Sequence, residues 1–290
     1  MKDTQELLDI LTLEDIGDNN FNGVSKDIGS PNVFGGQVLA QSLNAAYRTV
    51  PKKRILHSLH SYFLEAGNLE LPITYNVQTI RDGGSFSTRR VTAHQNDKTI
   101  FILACSFHRR EDGYEHQMPI KKDIKQPEEL FSWTDMLDQF GDFLPEKMKA
   151  FLSIERPIDF KPVQIANPLA AEDLPPIVDV WFKLKGDSSN LELAIKQQIL
   201  TYISDYNILT ACLHPNASVA NFGNTQMASL DHSMWFYRDF DFNDWMLFSI
   251  ESPNSFGARG FACGNIYTRD GKLIASVAQE GLMRPMKKKK

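Results

Sequence analysis

The feature of this sequence that most narrows its possible folds is that it nearly repeats itself. Leu59-His60-Ser61-Tyr62-Phe63 is echoed by Asp231-His232-Ser233-Met234-Trp235-Phe236. Ser85-Phe86 with Arg89 is echoed by Ser255-Phe256 with Arg259, and Lys98-Thr99-Ile100 by Lys272-Leu273-Ile274. The pairs share a nearly constant offset of about 170 residues, and a single repeat at so long a period implies a duplicated domain rather than a solenoid. A chain of 290 residues has room for two ordinary domains, each with its own core.

Each half reads in the same order. A helical pattern comes first, at 36–49 and 191–212. Period-two strand patterns follow at 57–64, 73–80, 85–93 and 99–107, and again at 227–237, 245–251, 259–268 and 273–282. An earlier strand is expected before each helix, near 21–26 and 178–184. Arg81-Asp82-Gly83-Gly84 and Arg269-Asp270-Gly271 supply hairpin-turn chemistry. One helix followed by a run of antiparallel strands predicts an α+β domain whose sheet wraps around the helix. The expected boundaries are 1–120, a linker with a bridging helix at 121–160, and 161–290. The bridge carries Leu130, Met136, Leu137 and Phe140 at helical spacing, and Pro157, Pro162, Pro168, Pro175 and Pro176 mark an extended connection after it.

Composition excludes several classes. A formal net charge of −5 provides no general basic field, which argues against a nucleic-acid partner. Cys105, Cys212 and Cys263 form no CxxC pair and predict reduced thiols, with neither a disulfide framework nor a zinc site. The apolar positions of the N-terminal segment are broken by acids, unlike a signal or transit peptide. No run approaches the roughly 20 apolar residues of a membrane-spanning helix, so the expected location is cytoplasmic, without membrane insertion. The basic run Lys287–Lys290 reads as a solvated tail.

Three polar residues stand where packing alone calls for apolar ones. In the second helical pattern Ile195, Ile199, Tyr202 and Leu209 form one stripe, and Asp205 lies on or beside it. An unpaired carboxylate there needs hydrogen-bond partners or a raised pKa, although a rim carboxylate capping the backbone fits the spacing equally well. Strand alternation puts Gln279 on the face of Leu273, Ala275 and Val277, either as a functional amide or as a partner for a neighbouring backbone. Ser229 shares a face with Asp231, Ser233 and Trp235, where a serine is ordinarily structural. Aligning the repeats sets His57 opposite Ser229 and Cys105 opposite Gln279, and residues 37–49 contain no carboxylate. The chemistry is therefore expected in the C-terminal half. Asp231-His232-Ser233 is no triad, because neighbours along a strand point to opposite faces. His57 and His60, three apart, should diverge for the same reason, which disfavours a metal pair. There is no GxSxG, HExxH, Walker loop or GxGxxG.

At 33–37 (VFGGQ), 56–64 (LHSLHSYFL), 81–91 (RDGGSFSTRRV), 114–117 (YEHQ), 229–236 (SLDHSMWF), 258–261 (ARGF) and 279–284 (QEGLMR) the chain resembles the type II acyl-CoA thioesterases, a double-hotdog family of bacteria and peroxisomes. The resemblance implies two tandem hotdog domains and a catalytic trio of Asp205, Ser229 and Gln279, with Ser229 standing where some members carry Thr. It also implies medium- to long-chain acyl-CoA substrates, no metal or organic cofactor, and a homo-oligomer, a dimer or tetramer of double hotdogs. The expected chemistry is direct attack by water on the thioester, with Asp205 as base and Ser229 and Gln279 fixing the water. Gly35 and Gly36, opening the first helix, are candidates for the oxyanion donor, and Arg89, Arg90 and Arg259 for contacts to CoA phosphates. Two other readings stand beside it. One is a hotdog hydratase or dehydratase using His232 and Asp205, with His232 expected on the sheet face opposite Ser229. The other is a non-catalytic acyl-CoA-binding module.

Overall fold

The computed structural model describes residues 1–144, 146–164 and 172–286. The Lys287–Lys290 tail and Pro168 of the extended connection lie outside the described residues. The first half contains α1 (Thr4–Leu11), β1 (Glu14–Gly17), β2 (Asn20–Gly23), α2 (Gly35–Tyr47), β3 (Ile55–Phe63), β4 (Ile73–Asp82), β5 (Phe86–Gln95) and β6 (Lys98–His108). The short helices α3 (Trp133–Phe140) and α4 (Glu146–Leu152) form the bridge. The second half contains β7 (Ile158–Pro162), β8 (Ile177–Leu184), α5 (Leu193–Ser204), α6 (Thr210–Leu213), β9 (Thr225–Ser229), β10 (Asp231–Phe236), β11 (Met246–Phe256), β12 (Arg259–Thr268) and β13 (Leu273–Pro285).

All strands belong to one antiparallel sheet. The first half contributes the order β1-β2-β4-β5-β6-β3 and the second β10-β13-β12-β11-β8-β7, with β9 pairing β13. The halves join where β3 pairs β10, with Ser61 opposite His232 and Leu59 opposite Met234. The two long helices occupy the inner face. A helix apolar on nearly every side must be buried on every side. The sequence of α2, GGQVLAQSLNAAY, has no charge and buries ten residues, while α5 buries every residue from Gln197 to Ser204. They lie against each other, with Asn44 Nδ2 donating to Gln198 Oε1 at 2.9 Å and the Tyr47 hydroxyl donating to the Gln197 side chain. One apolar core, including Leu39, Leu59, Tyr75, Ile199, Met234 and Val277, runs through both halves. This is the expected α+β double hotdog.

The structure departs from the sequence reading in three places. The helix expected over 191–212 ends at Ser204, and Asp205 caps it; Asn207, at φ 65°, turns the chain before α6. Asp205 therefore sits at a helix terminus and not within a stripe. The strand expected over 227–237 is broken at Leu230. Ser229 faces Gly281 and Ser233 faces Ala278, so β9–β10 uses one residue more than β13, which is a β-bulge. A second bulge, between Leu56 and Ser58, puts both His57 and His60 on the outer face, so they do not diverge. The strand β7, which spans residue 161, pairs β8.

The bulges also correct the alignment of the repeats. His60 is exposed and His232 fully buried, so the two are not equivalent; a slip of one residue exchanges the faces of a strand. The inward residues of β3 that match Ser229 and His232 are Leu56 and Leu59, both fully buried. Cys105 matches Gln279, because Leu59 faces Cys105 across β3 and β6 as His232 faces Gln279 across β10 and β13.

Candidate active site

Three elements of the second half and one of the first meet at Asp205. The carboxylate is half-buried at the end of α5. Its Oδ2 accepts a hydrogen bond from the Gly36 N–H at 2.9 Å, from the first turn of α2. Its Oδ1 accepts from Gln279 Nε2 at 3.1 Å, on β13, and from the Ser229 hydroxyl at 3.4 Å, on β9. Gln279 Nε2 also donates to Ser229 Oγ at 2.9 Å. The three residues singled out from the sequence, 74 positions apart at most, thus form one hydrogen-bonded cluster.

Local structure explains why they converge. Ending α5 at Ser204 turns Asp205 toward the beginning of α2, whose unpaired N–H groups favour an anion. The approach is close. A methyl group on Gly35 would lie 2.7 Å from Asp205 Oδ2 and 2.9 Å from the Phe63 ring, so glycine is required there for space. The bulge at Leu230 restores Ser229 to the inward face that Gln279 occupies.

Burial raises the Asp205 carboxyl from its ordinary value to about 6, against the hydrogen bonds from Gln279, Gly36 and Ser229 that lower it. A carboxylate with that value is ionised at neutral pH and remains basic enough to take a proton from water. The other ionisable groups against it are the phenols of Tyr202 and Tyr206, both held protonated by burial.

The remaining expectations separate. Gly36 is bound to Asp205, so its N–H is already committed. Arg89 does not face a ligand mouth: it is 1% exposed and satisfied within its own half. It forms a two-pronged pair with Asp82 at 3.0 Å, and its Nε and Nη2 donate to the Thr49 hydroxyl and carbonyl at 2.9 and 2.8 Å. A guanidinium spent in this way has no donor for a phosphate. Arg259 keeps about half of its side chain exposed while its Nε donates to Glu280 Oε1 at 2.9 Å. His232 is not on the face opposite Ser229. It is buried behind Gln279, with Nδ1 against Gln279 Oε1 and Nε2 3.0 Å from Ser204 Oγ. With both ring nitrogens engaged it cannot also meet a substrate, which removes the pair a hydratase needs. Strand alternation missed His232 because it took no account of the bulge; the polar break Ser229-Leu230-Asp231 was the available signal.

Comparison with known proteins identifies the family. Residues 148–282 match the family described as acyl-CoA thioesterase, and residues 24–108 match the acyl-CoA thioesterase N-terminal domain. Acyl-CoA thioesterase 2 of Haemophilus influenzae is 41% identical over 278 residues, covering 96% of both chains. Human acyl-coenzyme A thioesterase 8 is 34% identical, covering 95% of this chain and 88% of that one. The crystal structure of the acyl-CoA thioesterase II TesB2 from Mycobacterium marinum superimposes with a TM-score of 0.78 at 32% identity, covering 98% and 99% of the two chains. With relatives this similar along its whole length, and a two-part match falling on its two halves, this chain belongs to the acyl-CoA thioesterase family of thioester hydrolases.

Proposed function

We propose that the chain hydrolyses medium- to long-chain fatty acyl-CoA by direct attack of water, with Asp205 as general base. The observation that carries this reading is the closed cluster of carboxylate, hydroxyl and amide around one basic oxygen. A water entering the cluster takes over one of the hydrogen bonds that Gln279 Nε2 and Ser229 Oγ now make to their neighbours, and gives a proton to Asp205 as its oxygen attacks the thioester carbon. The C–S bond then breaks and the sulfur takes up the proton, giving the free acid and CoA. No acyl-enzyme is needed, since Ser229 has a carboxylate and an amide beside it but no imidazole to activate it as a nucleophile. Gly36 spends its N–H on Asp205, which leaves the Gly35 N–H, one residue earlier in the same turn, as the donor assigned to the developing oxyanion.

An aromatic wall supports the choice of acyl chain. From Phe34 beside the site it continues through Tyr206, Phe160 and Trp133, with ring centroids 4.6, 5.2 and 4.7 Å apart. Arg259 is the remaining assignment for a CoA phosphate. Residues 1–120 and 161–290, the latter extended back to Ile158, are taken as the two hotdog units, working in the cytoplasm as a homo-oligomer. Exposed Tyr62 on β3 and Tyr237, just past the end of β10, offer a face for such assembly. No helix among the described residues is long and apolar enough to cross a membrane.

Release of CoA, followed with a thiol-reactive dye across a series of acyl-CoA lengths, tests the assignment. Asp205→Ala should lower turnover at least ~100-fold, and wild-type kcat should fall as pH drops through about 6, where the carboxylate takes its proton. Full turnover by the variant would overturn the role of Asp205. Loss of enoyl absorbance from crotonyl-CoA without free thiol would point instead to hydration.

A further inference from the structure

A buried histidine that the reaction does not touch stands directly behind Gln279. His232 is inaccessible to solvent, its Nδ1 is hydrogen-bonded to Gln279 Oε1, and its Nε2 lies 3.0 Å from Ser204 Oγ. We propose that His232 is a positioning residue that locks the Gln279 amide in the one orientation aiming its N–H groups at Asp205 and Ser229. The proposal rests on the reading of the trio given above.

The two ends of a side-chain amide are chemically unlike, and the neighbours decide which end goes where. A carboxylate only accepts, so the end of Gln279 facing Asp205 is the NH₂. The other end is a carbonyl, which must be met by an N–H, so His232 Nδ1 carries a proton. Burial holds the ring neutral, pushing its pKa down to about 4. Nε2 is then a bare acceptor, and the Ser204 hydroxyl is the donor within reach. That hydroxyl also donates to the Thr201 carbonyl at 2.8 Å, on the last turn of α5, so its one proton is shared between the carbonyl and Nε2. The bonds close a ring: Ser204 to His232, His232 to Gln279, Gln279 to Asp205, beginning and ending on consecutive residues of one helix end. An amide free to rotate by half a turn would set its carbonyl against the carboxylate and lose its N–H bonds to Asp205 and Ser229.

The duplicated half serves as an internal control. Leu59 occupies the place of His232 and is fully buried against Cys105, which occupies the place of Gln279. Packing at this position of the fold is therefore met by leucine. A histidine here, with the attendant cost of burying a polar ring, goes with the half that has the polar cluster.

The test compares kcat and KM as a function of pH for wild type, His232→Leu and His232→Asn, with Asp205→Asn and Gln279→Ala as references. His232→Leu should lower kcat about 10- to 100-fold while KM stays within about two-fold, because the reacting groups are loosened and the binding surface is not. Its acidic limb should move to higher pH, since the Gln279 hydrogen bond holds the Asp205 carboxyl down. His232→Asn, whose Nδ2–H can replace Nδ1–H, should recover most of kcat and return the limb. Unchanged kcat and limb in His232→Leu would overturn the proposal, as would equal impairment of both variants. Should His232→Leu fail to fold, imidazole ¹⁵N shifts of the wild-type enzyme decide: a proton on Nδ1 supports the proposal and a proton on Nε2 overturns it. Full turnover in Asp205→Asn or Gln279→Ala would instead remove the trio itself, a separate result.

Discussion

Asp205 accepts hydrogen bonds from three neighbours, yet burial still raises its carboxyl to about 6. The bonds are outweighed, so the ionised form that the proposed reaction uses is held against the preference of the fold. For a group whose folded pKa lies above its ordinary value of 3.8, the stability it contributes is complete below that value and is lost as pH rises through about 6. At pH 8 the ionised carboxylate is then a standing cost of about 3 kcal/mol, less whatever its hydrogen bonds lose on substitution. Asp205→Asn should therefore melt at a higher temperature than wild type at pH 8, with the two curves converging toward pH 4, while turnover is lost. A variant that melts lower than wild type at pH 8 would mean that the hydrogen bonds outweigh the burial. Such an exchange of stability for function is common at active sites. Gln279 drew attention in the sequence by interrupting an apolar strand pattern, whereas Asp205, which lies at a helix end and not in a stripe, was singled out chiefly by the resemblance. Their environment was not legible, since the donor from Gly36 belongs to a helix 169 residues away.

Helices and strands account for most of what the sequence reading got right and for its errors. Strand patterns survived because a buried face imposes period two over eight or more residues, and β12 fell at 259–268 as expected. What failed in each half was a single extra residue. The bulges at Leu56–Ser58 and Leu230 reverse the face of everything beyond them, so His57 and His60 moved together and His232 moved inward. A bulge changes no residue type and so leaves little trace in composition. The two helices lie side by side, and where the start of α2 meets the end of α5 glycine is required by space: a methyl group on Gly36 would collide with the Tyr202 carbonyl of α5, a backbone atom that cannot move alone. Gly36→Ala should cost about 1–3 kcal/mol in urea unfolding despite alanine's better helix propensity. It should also lower kcat, because separating α2 from α5 withdraws the N–H from Asp205. Unchanged stability would show that the helices can part without penalty.

The whole molecule explains why the duplicated halves could become unequal and still be needed together. One half keeps Leu56, Leu59 and Cys105 where the other has Ser229, His232 and Gln279, so its equivalent site is apolar packing. Its role lies elsewhere: β3 covers the edge of β10, α2 covers α5, and Gly36 donates to Asp205. A chain starting at Ile158 would contain every residue of the proposed cluster from Ser204 to Gln279. It would nevertheless expose the edge of β10, on which Met234 and His232 are now buried, and an unpaired apolar edge invites aggregation. It would also leave the buried face of α5 without α2, and Asp205 with one donor fewer and without the burial that raises its carboxyl. That fragment alone should give no soluble thioesterase activity, and co-expression with residues 1–157 should restore CoA release through the β3–β10 pairing. An active fragment would show that the trio needs nothing from the first half and that the Gly36 contact is incidental. The proposed site is thus a property of the joint between the two halves, which no motif within either half contains by itself.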